Sequence, residues 1–314
     1  MSIAVPITLL AAVPHRADGA AVVITGAAAA GTVALWLAWR AGAFRGGTAV
    51  GPVRFDERDT LLSFLVRLCA AVACTFFAAA VLYGLMPRHL PTRQRQMAAG
   101  MLAGVFTFFA VVATAAARPG GLRRLGLSRS GIARGLLTGA AGTAVVTPWL
   151  LCLMVSIDTL RRHFFPDTHA EHEVFALWRQ STVEPWFRAL LLIAPGVVAP
   201  LAEEALCRGL LQTALGRLFS RGSLRAEGLA RRTAGQAPLP VPDGRARWLA
   251  IATTSLLFAL MHQPVFIQPP IFALSMALGY VYERTGNLWA CIFMHALFNV
   301  CQFALFLLVV SAGG

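Results

Sequence analysis

Apolar residues run along this chain in long blocks, separated by shorter connections that carry arginine. A bilayer crossing takes about 20 consecutive apolar residues. Blocks of about that size fall at roughly 20–39, 60–86, 97–117, 132–157, 186–213, 248–263, 270–283 and 288–311. The pattern predicts an all-α, polytopic transmembrane helix bundle of about eight spans. The seventh block is short. Gln268-Pro269-Pro270 bounds it on one side and Glu283-Arg284-Thr285-Gly286 on the other, which predicts a tilted or partly re-entrant segment.

Composition agrees. Of the 314 residues, 57% are hydrophobic and 13% charged, and the mean hydropathy is +0.67. A soluble domain carries about 25% charged residues. No connection is long enough for a separate soluble domain. The six cysteines all lie in apolar blocks without a Cys-x-x-Cys pair, and are expected to be small buried hydrophobes. Met1–Val13 lacks a basic leader, so no cleaved signal peptide is expected there.

The net charge of +13 comes from arginine alone. In a membrane protein, basic connections report orientation, and nucleic-acid binding is not expected. Sixteen arginines fall on one side of the predicted spans and seven on the other. The positive-inside rule then puts the 214–247 connection in the cytoplasm, against anionic headgroups, and both termini outside. The connection at 158–184 is expected outside. It holds His169 and His172, which read as part of a solvated loop. Gly135, Gly139 and Gly142 give the fourth span a face of small residues, which predicts close helix packing.

Against this background one stretch stands out. Glu203 and Glu204 are the only acidic residues well inside an apolar block, and Arg208 follows them. A charge at the bilayer centre costs at least about 2.5–3.5 kcal/mol and usually marks function. On a helix, residues i and i+4 share a face. Arg208 is therefore placed to neutralise Glu204. The i+4 position of Glu203 is Cys207, so Glu203 is left for chemistry. Pro200 just before the acids predicts a break that opens the helix toward water.

Two later spans carry histidine. Phe258 and His262 close the sixth block, four residues apart, and His295 and Asn299 share a face in the eighth. At about 1.5 Å per residue, Glu203, His262, His295 and Asn299 all fall at a similar depth in the cytoplasmic half. Each motif alone has a plainer reading: a structural ion pair, a hydrogen-bonded core histidine, interhelical glue. Their combination at one level is what points to a site.

The ordered series Glu-Glu-x-x-x-Arg, Phe-x-x-x-His and His-x-x-x-Asn resembles the CPBP family of intramembrane proteases, which includes the CAAX prenyl proteases of the Rce type, the Abi proteins and bacteriocin self-immunity proteins. The likeness runs from Trp186 to Phe306. It takes in Ala199-Pro200, Arg208-Gly209 and the run from Gly279 to Leu288. Cys207 stands where the family usually has an aromatic residue. The resemblance divides the chain into amino-terminal spans without an assigned role, 1–185, and a protease-like core, 186–311. It implies endopeptidase activity on membrane-associated, prenylated or secreted peptides. Glu203 would activate water beside His262, His295 and Asn299 would hold the oxyanion, and Glu204, Arg208 and Phe258 would support them. The expected location is a bacterial inner membrane, and the expected partners are a peptide substrate and the lipid bilayer.

Peptide hydrolysis needs an activated water and a stabiliser for the oxyanion. A carboxylate stripped of water is a better base near neutral pH. The favoured expectation is a glutamic mechanism without a cofactor. Zinc held by Glu203, His262 and His295 is the alternative, since three protein ligands plus water suit a catalytic zinc. Against zinc, there is no His-Glu-x-x-His helix. A non-catalytic transporter, immunity factor or scaffold using the same cluster for binding is the other class of reading. The chain shows no internal repeat of the kind transporters carry.

Overall fold

The computed structural model describes residues 25–26, 28–34, 36 and 40, then 61–117, 120–168, 173–180, 184–220 and 244–312. Among the described residues every regular element is helical. They are α1 (Leu61–Leu85), α2 (Thr92–Ala116), α3 (Gly121–Leu125), α4 (Ile132–Phe164), α5 (Glu173–Trp178), α6 (Pro185–Phe219), α7 (Gly244–Leu260), α8 (Gln268–Thr285) and α9 (Leu288–Ala312). The all-α membrane bundle is as expected, and the chain is an integral, multi-pass membrane protein.

The number of spans differs. Six helical segments among the described residues are long and apolar enough to cross a membrane, against about eight expected. Half of the predicted first span, 20–39, lies outside the described residues, and the described half is helical. The predicted sixth, 248–263, is α7, of which 17 residues are described, fewer than a full crossing of about 20. It ends three residues earlier than predicted, ahead of Pro264, whose preceding residue avoids helical backbone. The chain leaves the helix at Leu260, and His262 sits in the turn that follows. The predicted re-entrant seventh block is instead a continuous helix, within a span of 21 residues from Val265 to Thr285.

Two other boundaries moved for physical reasons. α4 runs seven residues past its predicted end and buries Asp158, which was expected in a loop. The acid is neutralised within the helix by Arg161 at 2.8 Å and Arg162 at 2.7 Å, so helix can continue through it. The 158–184 connection also is not wholly solvated. Its short α5 buries Phe175 against Phe306, with ring centroids 4.4 Å apart, and sets Trp178 on Phe303 at 5.1 Å. The residues at His169 and His172 lie outside the described residues.

The cysteines are free, but only Cys291 is fully buried, and Cys69 and Cys301 are exposed. Lipid accepts an apolar side chain as readily as the core does, so an apolar block does not say which of its residues point inward.

α9 is the central post. Gly135, Gly139 and Gly142 of α4 pack against it as the small-residue face predicts. A Cβ at Gly139 would stand 2.8 Å from the backbone nitrogen of Met294, and one at Gly135 would stand 2.6 Å from Cβ of Trp289. Thr143 adds a hydrogen bond to the carbonyl of Met294 at 3.2 Å. The start of α9 is pinned as well. Asn287 caps it by accepting from the Trp289 N–H at 3.1 Å and donates its amide to the carbonyl of Gly131 at 2.8 Å. Gly126, at φ +86°, comes so close to Gly286 and Leu288 that any Cβ would clash, and its carbonyl accepts from the Leu288 N–H at 3.1 Å. These bonds fix the height of His295, two turns further on.

The 120–131 and 285–287 turns meet at one end of the bundle. Gln212, near the end of α6, reaches Glu283 at 3.0 Å, and Tyr282 donates to the carbonyl of Leu125 at 3.2 Å. The turn 261–267 is on the opposite face, where Phe266 meets Phe165 at 5.8 Å.

Candidate functional site

The site is built on α6. The helix does not break at Pro200. It widens into π-helical turns at Ala194–Val198 and Ala205–Gln212, with an α-helical stretch, Ala199–Glu204, between them. Such turns accommodate a residue that cannot make the ordinary i→i−4 bond, and they recur at functional sites. Pro195 and Pro200 are residues of that kind.

Glu204 and Arg208 pair as their spacing predicts, 2.9 Å apart and fully buried. The other oxygen of Glu204 accepts from Nδ1 of His295 at 2.9 Å. Because Glu204 is held by Arg208 as a carboxylate, Nδ1 of His295 must carry the hydrogen. That turns Nε2 toward Glu203, whose Oε2 lies 3.9 Å away. The expectation that Glu203 stands apart from any partner is therefore revised: it faces an imidazole. What it keeps is access. Its side chain is 17% exposed while His295 is sealed.

His262 and His295 come together around one ring. Phe258 packs on His262 at a tilt, with centroids 4.7 Å apart, and meets His295 edge-on at 6.0 Å. It also lies under the guanidinium of Arg208 at 5.6 Å, a cation–π contact in a dry interior. His262 donates Nδ1–H to the carbonyl of Phe258 at 2.6 Å, which leaves Nε2 as its proton-accepting nitrogen. Asn299 is buried and donates Nδ2 to the carbonyl of Pro195 at 2.8 Å. The structure thus joins α6, α7 and α9 through contacts of Glu203, Glu204, Arg208, Phe258, His295 and Asn299, with His262 packed on Phe258.

Several contributors carried no motif. Arg208 donates Nη2 to the hydroxyl of Ser275 at 2.9 Å, and Gln212 donates to the carbonyl of Gly279 at 3.1 Å. A signal existed. Glu204, Arg208 and Gln212 recur every four residues on α6, and Ser275, Gly279 and Glu283 do so on α8, so two polar stripes face each other.

Beside Glu203 lies a cavity of about 160 Å³. One wall is α6 from Ala194 to Leu206, and the other is formed by Thr75 of α1 and by Gly100, Met101, Gly104 and Thr107 of α2. Glu203 therefore stands between His295 and a space shared with the amino-terminal spans. Nothing in the sequence marks that wall.

Among the described residues, no group of three His, Cys, Asp or Glu side chains is arranged to hold a metal ion. Glu203, His262 and His295 have the right chemistry for zinc but are not assembled as a three-ligand set.

The bundle thus gathers two carboxylates, a guanidinium and two imidazoles near one another, open at one acid. Residues 185–301 match the family model described as type II CAAX prenyl endopeptidase Rce1-like, a match consistent with the CPBP family of intramembrane proteases. The matched segment holds Glu203, Glu204, Arg208, Phe258, His262, His295 and Asn299, and excludes α1 and α2. No curated protein and no solved structure matches the chain.

Proposed function

We propose that this protein is an intramembrane endopeptidase whose base is Glu203. The observation that carries the reading is the placement of Glu203: its carboxylate lines a cavity on one side and lies 3.9 Å from Nε2 of a buried histidine on the other. Hydrolysis then runs as follows. Glu203, with His262 at its side, takes a proton from a water in the cavity. The resulting hydroxide attacks the peptide carbonyl carbon. The oxyanion faces the second amide hydrogen of Asn299 and Nε2 of His295, which donates when the ring carries both protons, and Glu203 returns the proton to the leaving amine. Burial makes each charge interaction stronger than it is in water.

Glu204 and Arg208 keep this arrangement in place. Their charges cancel, and Glu204 orients the ring of His295 through Nδ1. The mechanism as written needs no metal.

The division of labour along the chain follows. Residues 186–311 supply the chemistry, and α1, α2 and α4 pack around it. We place the 214–247 connection in the cytoplasm and the protein in a bacterial inner membrane, from the excess of arginine on that face. The substrates are membrane-associated or secreted peptides. Comparative membrane proteomics of cells carrying the wild type or Glu203→Gln tests the reading: uncut substrates should accumulate in the variant. Identical peptide profiles would contradict it.

A further inference from the structure

The cavity beside Glu203 is walled on one side by helices that the family match does not reach. Its size and lining say what could enter. At about 160 Å³ it is close to the engineered apolar cavity of about 150 Å³ that takes a benzene molecule. One Leu or Phe side chain fills such a space. Apart from Glu203, its only polar side chains are Thr75 and Thr107. These hydroxyls are hydrogen-bonded to each other, and to the carbonyls of Ala71 at 2.8 Å and Ala103 at 3.1 Å, so they offer little to a polar ligand.

We propose that this cavity receives one apolar side chain of the substrate, up to the size of Leu or Phe, beside the bond presented to Glu203. The proposal rests on the peptidase reading above, and it assigns α1 and α2 the selection of substrate. Two glycines on α2 shape the pocket. Gly104 lets α2 approach α6 closely, since a Cβ there would stand 3.0 Å from Cγ1 of Val198. Gly100, one turn away, does the reverse. A Cβ there meets nothing within 4 Å, so it borders open space. A larger residue at position 100 extends into the pocket without pushing a helix aside. Selectivity is therefore shared with a segment outside the matched core, and can change there without touching the site's polar groups.

The test uses the full chain in detergent micelles. The probes are fluorescent apolar peptides that are identical except for one central residue, Ala, Leu or Phe, together with a copy carrying a lipid chain. Binding is read by anisotropy, and cleavage position by mass spectrometry. Wild type should bind the Leu and Phe peptides about tenfold or more tighter than the Ala peptide, and cut beside that residue. Gly100→Leu should erase the preference and leave binding of the Ala peptide unchanged. If that variant does not fold, the wild-type series alone gives the answer. Size-selective binding without cleavage would keep the pocket and sink the peptidase reading. Cleavage without a size preference would do the opposite. Preference for the lipid chain whatever the central residue, or no binding of any peptide, overturns the pocket.

Discussion

Asn299 donates its side-chain amide to the one carbonyl that Pro200 leaves without a helical donor, that of Pro195, at 2.8 Å. The register explains why. In the first π-helical turn the N–H of Ala199 bonds the carbonyl of Ala194, five residues back. The next donor in that register would be residue 200, bonding the carbonyl of 195, and proline has no N–H. A carbonyl abandoned in a dry bundle must find a partner. Asn299 supplies it from α9, and so ties the turn that presents Glu203 to the helix that carries His295. This structural duty stands beside the oxyanion role proposed for the same residue.

That relationship sets up a double-mutant cycle. Asn299→Ala should lower thermal stability by about 1–3 kcal/mol, the usual cost of leaving a buried acceptor unmade. Pro200→Ala restores an N–H to the chain, so the same Asn299→Ala change should cost clearly less in that background. Thermal unfolding in detergent reads both. Equal losses in the two backgrounds would contradict the capping account.

The buried pair gives a second cycle. Arg208→Met strands Glu204, and breaking such a pair from one side costs about 3–5 kcal/mol. Glu204→Gln together with Arg208→Met removes both charges. The double variant should recover much of the stability lost in Arg208→Met, as judged by size-exclusion profiles after heating. A double variant as unstable as the single one would show that the pair matters through something other than its charges.

Much of this was legible in the sequence because a few residues broke the apolar pattern sharply. Glu204 and Arg208 announced themselves by charge and spacing, and the histidines by their rarity inside apolar blocks. The glycine face of α4 could be read from spacing alone. Other features were hidden for reasons of physics. In lipid both faces of a helix are apolar, so neither Cys69 nor the cavity wall at Gly100 and Gly104 differed from any other span residue. Pro200 signalled a break, but a wide turn and a donor from Asn299, about 100 residues away, absorbed it. The end of α7 followed Pro264 and not hydropathy, so the helix stops three residues before the apolar block does. Asp158 looked like a loop residue until Arg161 and Arg162 one turn on were counted with it.

Close packing makes α4 sensitive at a site without chemistry. A methyl at Gly139 would press on the backbone of Met294, next to His295. Overpacking of this kind costs about 1–3 kcal/mol. Gly139→Ala should lower both the unfolding midpoint and the cleavage rate, whereas Gly120→Ala, at a turn with open space, strains only the local backbone and should leave the rate unchanged. Wild-type cleavage by Gly139→Ala would show that the height of α9 is not critical.

Metal dependence separates the two mechanisms. With Glu203 as a base acting on water alone, cleavage should survive rigorous chelation at its full rate. Loss of activity on chelation, restored by zinc and by no other divalent ion, would establish the alternative built on Glu203, His262 and His295.

The most direct measurement is cleavage of a labelled peptide library by purified wild type and by Glu203→Gln, with thermal unfolding of both recorded on the same preparations. Glu203→Gln keeps the shape of the side chain and removes the base. The account expects cleavage by the wild type, none by the variant, and similar unfolding midpoints. A folded Glu203→Gln protein that cleaves as fast as the wild type would contradict it.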